Sequence, residues 1–233
     1  MIARGRRTLT EVIGGLLALS LVVGLSSLLG RAEEDARVLV LVPERWVMAR
    51  QFFPILDVLA EHGIHVDVAS DAPHEHVFWE DYVDVATGGD PEAEYSLSVE
   101  LAYDDVDVLT YDAVLVPGGH SHHAIIANDD AREILLSAAR LGKLVGGVGQ
   151  GVSVLVEFGL IAGHRATIGP GEAEDPRTPN DQRIIEEAGG TYAWACVVVS
   201  AESERGFTLV TATASCVYSF ARAIAVQVGG PKD

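Results

Sequence analysis

Three histidines within four residues, His120-Ser-His-His123, follow directly on the turn Pro117-Gly118-Gly119. Imidazoles grouped in this way can bind a divalent cation or move protons near neutral pH. Adjacent histidines set no coordination geometry by themselves, and this spacing matches no zinc pattern. His120, His122 and His123 are therefore metal candidates that stand beside a plainer reading as solvated loop side chains. His74-Glu-His76 can reach the same mouth. Glu44, just past the first apolar run, is a candidate acid for that cleft, against the plainer reading of an exposed loop carboxylate. Cys196 and Cys216 are the only cysteines. Outside the cytoplasm they can pair, and two buried thiols remain the equal alternative, since sequence does not give the Cα separation a bond needs. Ser153 lies on Gly151-Val-Ser-Val-Leu155, which lacks the second glycine of a serine-hydrolase elbow. Gly146, Gly147, Gly149 and Gly151 do not fit the dinucleotide fingerprint G-x-G-x-x-G, so they read as turn and packing glycines and no organic cofactor is implied.

The elements that must position these residues alternate strand and helix. Arg37-Val-Leu-Val-Leu-Val42 reads as a buried strand. A helix follows with Phe52, Ile55, Leu56 and Leu59 on one face, ended by Gly63, and His65–Ala69 is a second strand. Residues 71–94, rich in acid, His, Gly and Pro, read as a long surface excursion. Tyr95–Leu101 is expected to be a strand, Tyr111–Val116 a buried strand running into the glycine turn, and Asp130–Leu141 a helix with Asp129 as N-cap and Gly142 past its end. Leu144–Gly147 is the next strand, followed by the tight turn Gly149-Gln150-Gly151 and a helix through Val154, Leu155 and Phe158. Arg165–Ile168, a short helix after Asn180, a hairpin over 192–211 and a helix presenting Val217, Phe220, Ile224 and Val228 complete the chain. The alternation is that of one doubly wound α/β domain with a mainly parallel sheet and helices on both faces.

Arg4, Arg6 and Arg7 precede an uncharged run from Val12 to Leu29, and Arg31-Ala-Glu-Glu-Asp follows. This is the pattern of an export leader over residues 1–32, either a cleaved signal peptide or an N-terminal membrane anchor. The remainder would then lie outside the cytoplasm, secreted or anchored, with the membrane met only through this segment. The chain of 233 residues carries a formal charge of -18, and residues 1–32 hold four arginines and one glutamate, a net +3, so the remainder stands at -21. Such a surface repels nucleic acid and anionic lipid. Lysine occurs only at Lys143 and Lys232 against fourteen arginines. That bias suits a salt-adapted source, though acidic surfaces also serve plain solubility.

Three stretches, Tyr111-Asp-Ala-Val-Leu-Val-Pro-Gly-Gly119, Gly142-Lys-Leu-Val-Gly-Gly-Val-Gly-Gln-Gly151 and Gly159-Leu-Ile-Ala-Gly-His-Arg-Ala-Thr167, together resemble the ThiJ/PfpI family, relatives of the class I glutamine amidotransferases. The likeness runs over residues 36–229. It implies a flavodoxin-like sandwich, often dimeric, with a cysteine on the sharp turn between strand and helix. In this chain that turn holds Gly149. The family's glutamate after the first strand, counted back from Phe53-Pro54, falls on Arg50, and the histidine some members carry after the Arg-Ala-Thr strand falls at Gly169. With all three positions replaced, the resemblance implies a cleft without cysteine chemistry.

The sequence therefore leads to an extracytoplasmic, non-catalytic member that binds a small molecule or a protein in a cleft lined by Gly118, Gly119, His120, Gly149 and Gln150. The competing reading is a hydrolase or lyase of altered mechanism using Glu44 with His120, or a divalent metal on the histidine cluster.

Overall fold

The structure is a computed structural model that describes residues 36–44, 47–78, 95–120, 122–168, 181–201 and 205–229. The leader and Gly169 lie outside the described residues. The architecture below is that of the unit Asp35–Asp233. No helix among the described residues is long and apolar enough to cross a membrane.

A seven-stranded sheet forms the centre. Its strands are β1 (Arg37–Leu41), β2 (His65–Ser70), β5 (Leu101–Ala102), β6 (Ala113–Val116), β7 (Leu144–Val148), β10 (Val197–Ser200) and β11 (Leu209–Ala212). They lie in the order β10-β11-β7-β6-β1-β2-β5, and only the edge pair β10-β11 is antiparallel. The fold is flavodoxin-like α/β, as the alternation predicts. Because β1 lies between β2 and β6, the chain winds outward in one direction and then in the other. The place where the winding reverses is the crevice between the carboxyl ends of β1 and β6, where open α/β sheets hold their ligands.

Both faces of the sheet are covered, so the central strands β1, β6 and β7 are apolar runs buried almost throughout rather than alternating ones. On one face Val38, Val40, Ala113, Leu115 and Val210 pack with Phe52, Ile55 and Leu59 of α1 (Ala49–Glu61) and Phe220 and Ile224 of α6 (Val217–Gly229). On the other, Leu39, Leu41, Val114, Val116 and Val145 pack with Ile134, Leu135 and Ala138 of α3 (Asp129–Arg140) and Val152 and Leu155 of α4 (Gly151–Glu157). Two shorter helices, α2 (His122–Ile126) and α5 (Asp181–Glu187), complete the set. The glycines of β7 are packing glycines: a Cβ on Gly146 would stand 2.8 Å from Leu115 Cδ2 and 3.0 Å from Phe220 Cζ, and one on Gly147 would stand 2.9 Å from Leu155 Cδ1.

The structure differs from the sequence reading in four places. The excursion at 71–94 contains β3 (His74–Phe78), which pairs antiparallel with β4 (Tyr95–Val99) as a separate ribbon. The expected strand 95–101 is thereby split, with only Leu101–Ala102 joining the main sheet. The N-cap of α3 is Asn128, whose Oδ1 accepts from Ala131 N at 2.9 Å, in place of Asp129. The strand at 165–168 shortens to β8 (Arg165–Ala166), paired with β9 (Thr191–Tyr192), and the hairpin is β10-β11 alone. In each case short polar-flanked segments found a partner strand, or an adjacent cap, that local periodicity does not encode.

Gly146→Ala should lower stability by about 1–3 kcal/mol through overpacking between Leu115 and Phe220. A denaturant midpoint that falls with an unchanged slope checks this, and an unchanged midpoint would contradict it.

Candidate functional site

Two backbone turns interlock at the crevice. β6 leads into Pro117-Gly118-Gly119, and β7 leads into Gly149, whose φ is +54°. That conformation aims a side chain out over the sheet edge and costs glycine least. A Cβ on Gly151 would stand 2.1 Å from the Val116 carbonyl oxygen and 2.8 Å from that of Pro117, so α4 begins in backbone contact with the end of β6. No side chain larger than hydrogen fits there.

The space in front of Gly149 is occupied by Gln51. This α1 side chain is 1 % exposed, and its Nε2 donates to Met48 Sδ at 2.9 Å. Its Oε1 is buried with no hydrogen-bond partner among the described residues. A Cβ on Gly118 would come within 1.7 Å of that oxygen, and one on Gly149 within 2.6 Å. The carboxamide thus sits between the two glycine turns, held there at a cost of about 1–3 kcal/mol for its unpaired acceptor. The segment leading into α1 crosses the crevice, because Val47 bridges to Gly119 and Met48 N donates to the Gly118 carbonyl at 3.4 Å.

The count from Phe53-Pro54 puts Arg50 at the family's glutamate position, and the structure turns its neighbour toward the elbow instead. Arg50 is exposed, and Gln51 is the residue turned to the elbow. A signal for Gln51 was available, since it precedes Ile55 by four and Val58 by seven positions on the apolar stripe of the helix. A polar residue on a buried face marks a packed polar contact.

The histidines divide. His122 is half-buried with Nδ1 3.4 Å from the Gly119 carbonyl, and its ring lies 3.9 Å from that of His123, centroid to centroid. Burial, with His123 and His120 nearby, lowers its pKa to about 4 against the modest opposing effect of the Gly119 carbonyl. His122 is therefore neutral at pH 7. His120 and His123 are exposed. Among the described residues no group of three or more His, Cys, Asp or Glu side chains could hold a metal ion. Glu44 is exposed, and its backbone carbonyl lies 3.1 Å from His74 Nε2, so the β3-β4 ribbon does reach the β1-α1 loop. Gln150 Oε1 accepts from Ser153 Oγ at 3.2 Å, which turns Ser153 to a structural contact.

Cys196 and Cys216 are bonded, with their Cα atoms 5.7 Å apart, which resolves the two alternatives. Cys216 ends a 3-10 turn, Ala214–Cys216, whose Ala214 Cβ lies 3.2 Å from where a Gly149 Cβ would stand. The pair therefore flanks the same crevice.

A family model described as the DJ-1/PfpI family matches residues 36–227. An uncharacterized protein of Archaeoglobus fulgidus is 30% identical over 139 residues, 60% of this chain and 74% of that protein. The match to DJ-1 protein homolog E of Arabidopsis thaliana is 28% identical over 120 residues, 52% of this chain but only 30% of that protein. A deglycase of Pyrococcus abyssi is 32% identical over 81 residues, 35% of this chain and 49% of its own length. Among solved structures, a ThiJ/PfpI domain protein from Brachyspira murdochii superimposes with a TM-score of 0.66 at 15% identity, covering 85% of this chain and 99% of that one. DJ-1beta of Drosophila melanogaster gives 0.62 at 20% identity, over 85% and 92% of the two chains. At these identities the structures attest the fold.

Two expectations follow for the site. Gly149→Ala should cost about 1–3 kcal/mol, from the positive φ and from the Gln51 carboxamide, and in a Gln51→Ala background that cost should shrink by at least about 1 kcal/mol. Strictly additive energies in the double-mutant cycle would show that Gln51 does not fill this space. Separately, the His122 ring should titrate by NMR near 4. Its folded pKa lies below the unfolded value, so its contribution to stability is complete above about pH 6.5 and is lost as pH falls toward 4. Over that window wild type should lose stability relative to His122→Asn; parallel pH profiles would refute the assignment.

Proposed function

This chain belongs to the DJ-1/PfpI family, and on that premise we propose that it is an exported, non-catalytic member whose crevice binds rather than reacts. The observation that carries the reading is the Gln51 carboxamide in front of Gly149. A family nucleophile would need a thiol on the elbow and an acid beside it. Here the elbow residue has no side chain, and its buried neighbour is a neutral amide. The chain has two cysteines, and both are in the disulfide, so no thiol remains to substitute from elsewhere.

Export is supported by the basic, apolar and acidic succession of residues 1–35 and by the disulfide, since such bonds persist in oxidising compartments. The formal charge of -18 argues against nucleic acid as a partner. The ligand is then a small molecule or another protein, met on the outer side of Gln51 where Gly119, His120 and His122 surround the mouth. A homodimer is compatible with this arrangement.

A second reading, a hydrolase or lyase of altered mechanism, draws on one observation. His122 is held neutral beside the glycine turn and can accept a proton at pH 7. Against it, Glu44 is exposed and the described histidines assemble no three-ligand metal site.

The matched segments span 30% and 49% of the Arabidopsis and Pyrococcus relatives, so a deglycase assay tests directly whether the latter's named activity extends to this chain. Purified full-length protein should show no deglycase turnover above buffer. Turnover that disappears in His122→Ala would overturn the binding reading in favour of the second. In thermal unfolding, divalent metal salts, small aldehydes, amides and amino acids serve as probes. One that binds at about 100 times its Kd should add about 2.7 kcal/mol of stability.

A further inference from the structure

The bond between Cys196 and Cys216 has features that a structural staple does not need. Cys196 is exposed, and two residues before it Trp194 is 79 % exposed, so a partner can approach this sulfur across an apolar surface. Cys216 is partly buried and immediately precedes α6, a helix of 13 residues. The start of a helix favours a thiolate over a thiol. Ser215 adds a hydroxyl 3.8 Å from Cys216 Sγ, close enough to donate a hydrogen bond to sulfur. The two sulfurs are thus unlike: one is open to attack, and the other is placed to carry negative charge as it leaves.

The backbone holds the two cysteines together without the bond. Thr213 N donates to the Cys196 carbonyl at 3.1 Å, and the next residues pair in the β10-β11 ladder, Val197 opposite Ala212. Breaking the sulfur bridge leaves these contacts in place, so the two thiols stay near each other and the bond can re-form. Reduction releases the loop constraint on the unfolded chain, while in the folded protein these backbone contacts still hold the two thiols close.

We propose that the Cys196–Cys216 bond is a thiol–disulfide exchange site whose substrates are dithiols, with Cys196 the attacked sulfur and Cys216 the leaving group. A thiolate of the dithiol attacks Cys196 Sγ. A new S–S bond forms there as the Cys196–Cys216 bond breaks, and the electron pair leaves on Cys216 Sγ beside the Ser215 hydroxyl. The second thiolate of the dithiol then attacks its own sulfur in the mixed disulfide and releases Cys196. In sum, the dithiol is oxidised by two electrons to a disulfide, and the protein is reduced to two cysteines that take up the two protons the dithiol gives up. The reaction uses neither Gly149 nor the histidines and is independent of the proposed binding function.

The test uses native full-length protein with dithiothreitol at neutral pH and no denaturant, quenched by alkylation and read by mass. Reduction should proceed within about tenfold of the rate for oxidised glutathione under the same conditions, with the far-ultraviolet circular dichroism unchanged. Ser215→Ala should slow it about three- to tenfold, the loss of one weak hydrogen bond to a charged group. With the monothiol glutathione, the trapped adduct should map to Cys196. Reduction that requires denaturant would return the bond to a purely structural role, and adducts found on Cys216 would overturn the assignment of attacked and leaving sulfur.

Discussion

The site depends on one constraint, the direct backbone contact between the end of β6 and the start of α4. With Gly151 packed on the Val116 carbonyl and Gly118 on that of Val148, two chain reversals share a space that admits no Cβ. This contact keeps the elbow in register with the winding reversal between β1 and β6, where the sheet opens to solvent. Glycines in β7 extend the same logic inward, letting α4 approach on one side and α6 on the other. The family's turn is therefore maintained by packing that is independent of whatever side chain the elbow carries.

The elbow carries no side chain, and the volume in front of it is taken by a long side chain of α1. Gln51 fills it as a neutral group, in a chain whose overall charge is strongly negative. A carboxylate in that enclosure would have to be desolvated as an anion, whereas an amide carries no net charge to desolvate. Glycine at the elbow and an amide in front of it belong together: the amide fits the space only because Gly118 and Gly149 carry no Cβ. Around this plugged centre the remaining ionisable groups are peripheral. His122 is held neutral by burial, while His120, His123 and Glu44 face solvent.

The disulfide belongs to the same neighbourhood through a different route. Its turn presses Ala214 toward Gly149, while Cys196 opens outward beside Trp194. The crevice is thus bounded by α1 on one side and by the β11-α6 connection on the other. The only sulfur–sulfur chemistry the chain can perform lies at that second boundary rather than on the elbow.

Much was determined by the sequence alone. Apolar runs at 37–42, 111–116 and 144–148, separated by helix-period segments, dictate a buried parallel sheet, because such strands must be covered on both faces. Gly149 in the elbow turn could be read directly, since a missing side chain requires no geometry to notice. The residue facing that turn could not. Arg50 and Gln51 are neighbours, and a shift of one position rotates a helical side chain by about 100°, so only the packing of α1 on β1 and β7 decided which of them is buried. Tertiary structure alone also paired His74–Phe78 with Tyr95–Val99 and set Cys196 opposite Cys216, because both depend on residues far apart in sequence meeting in space. Local pattern encodes which face of an element is apolar; which residue then fills a given hollow is a property of the assembled fold.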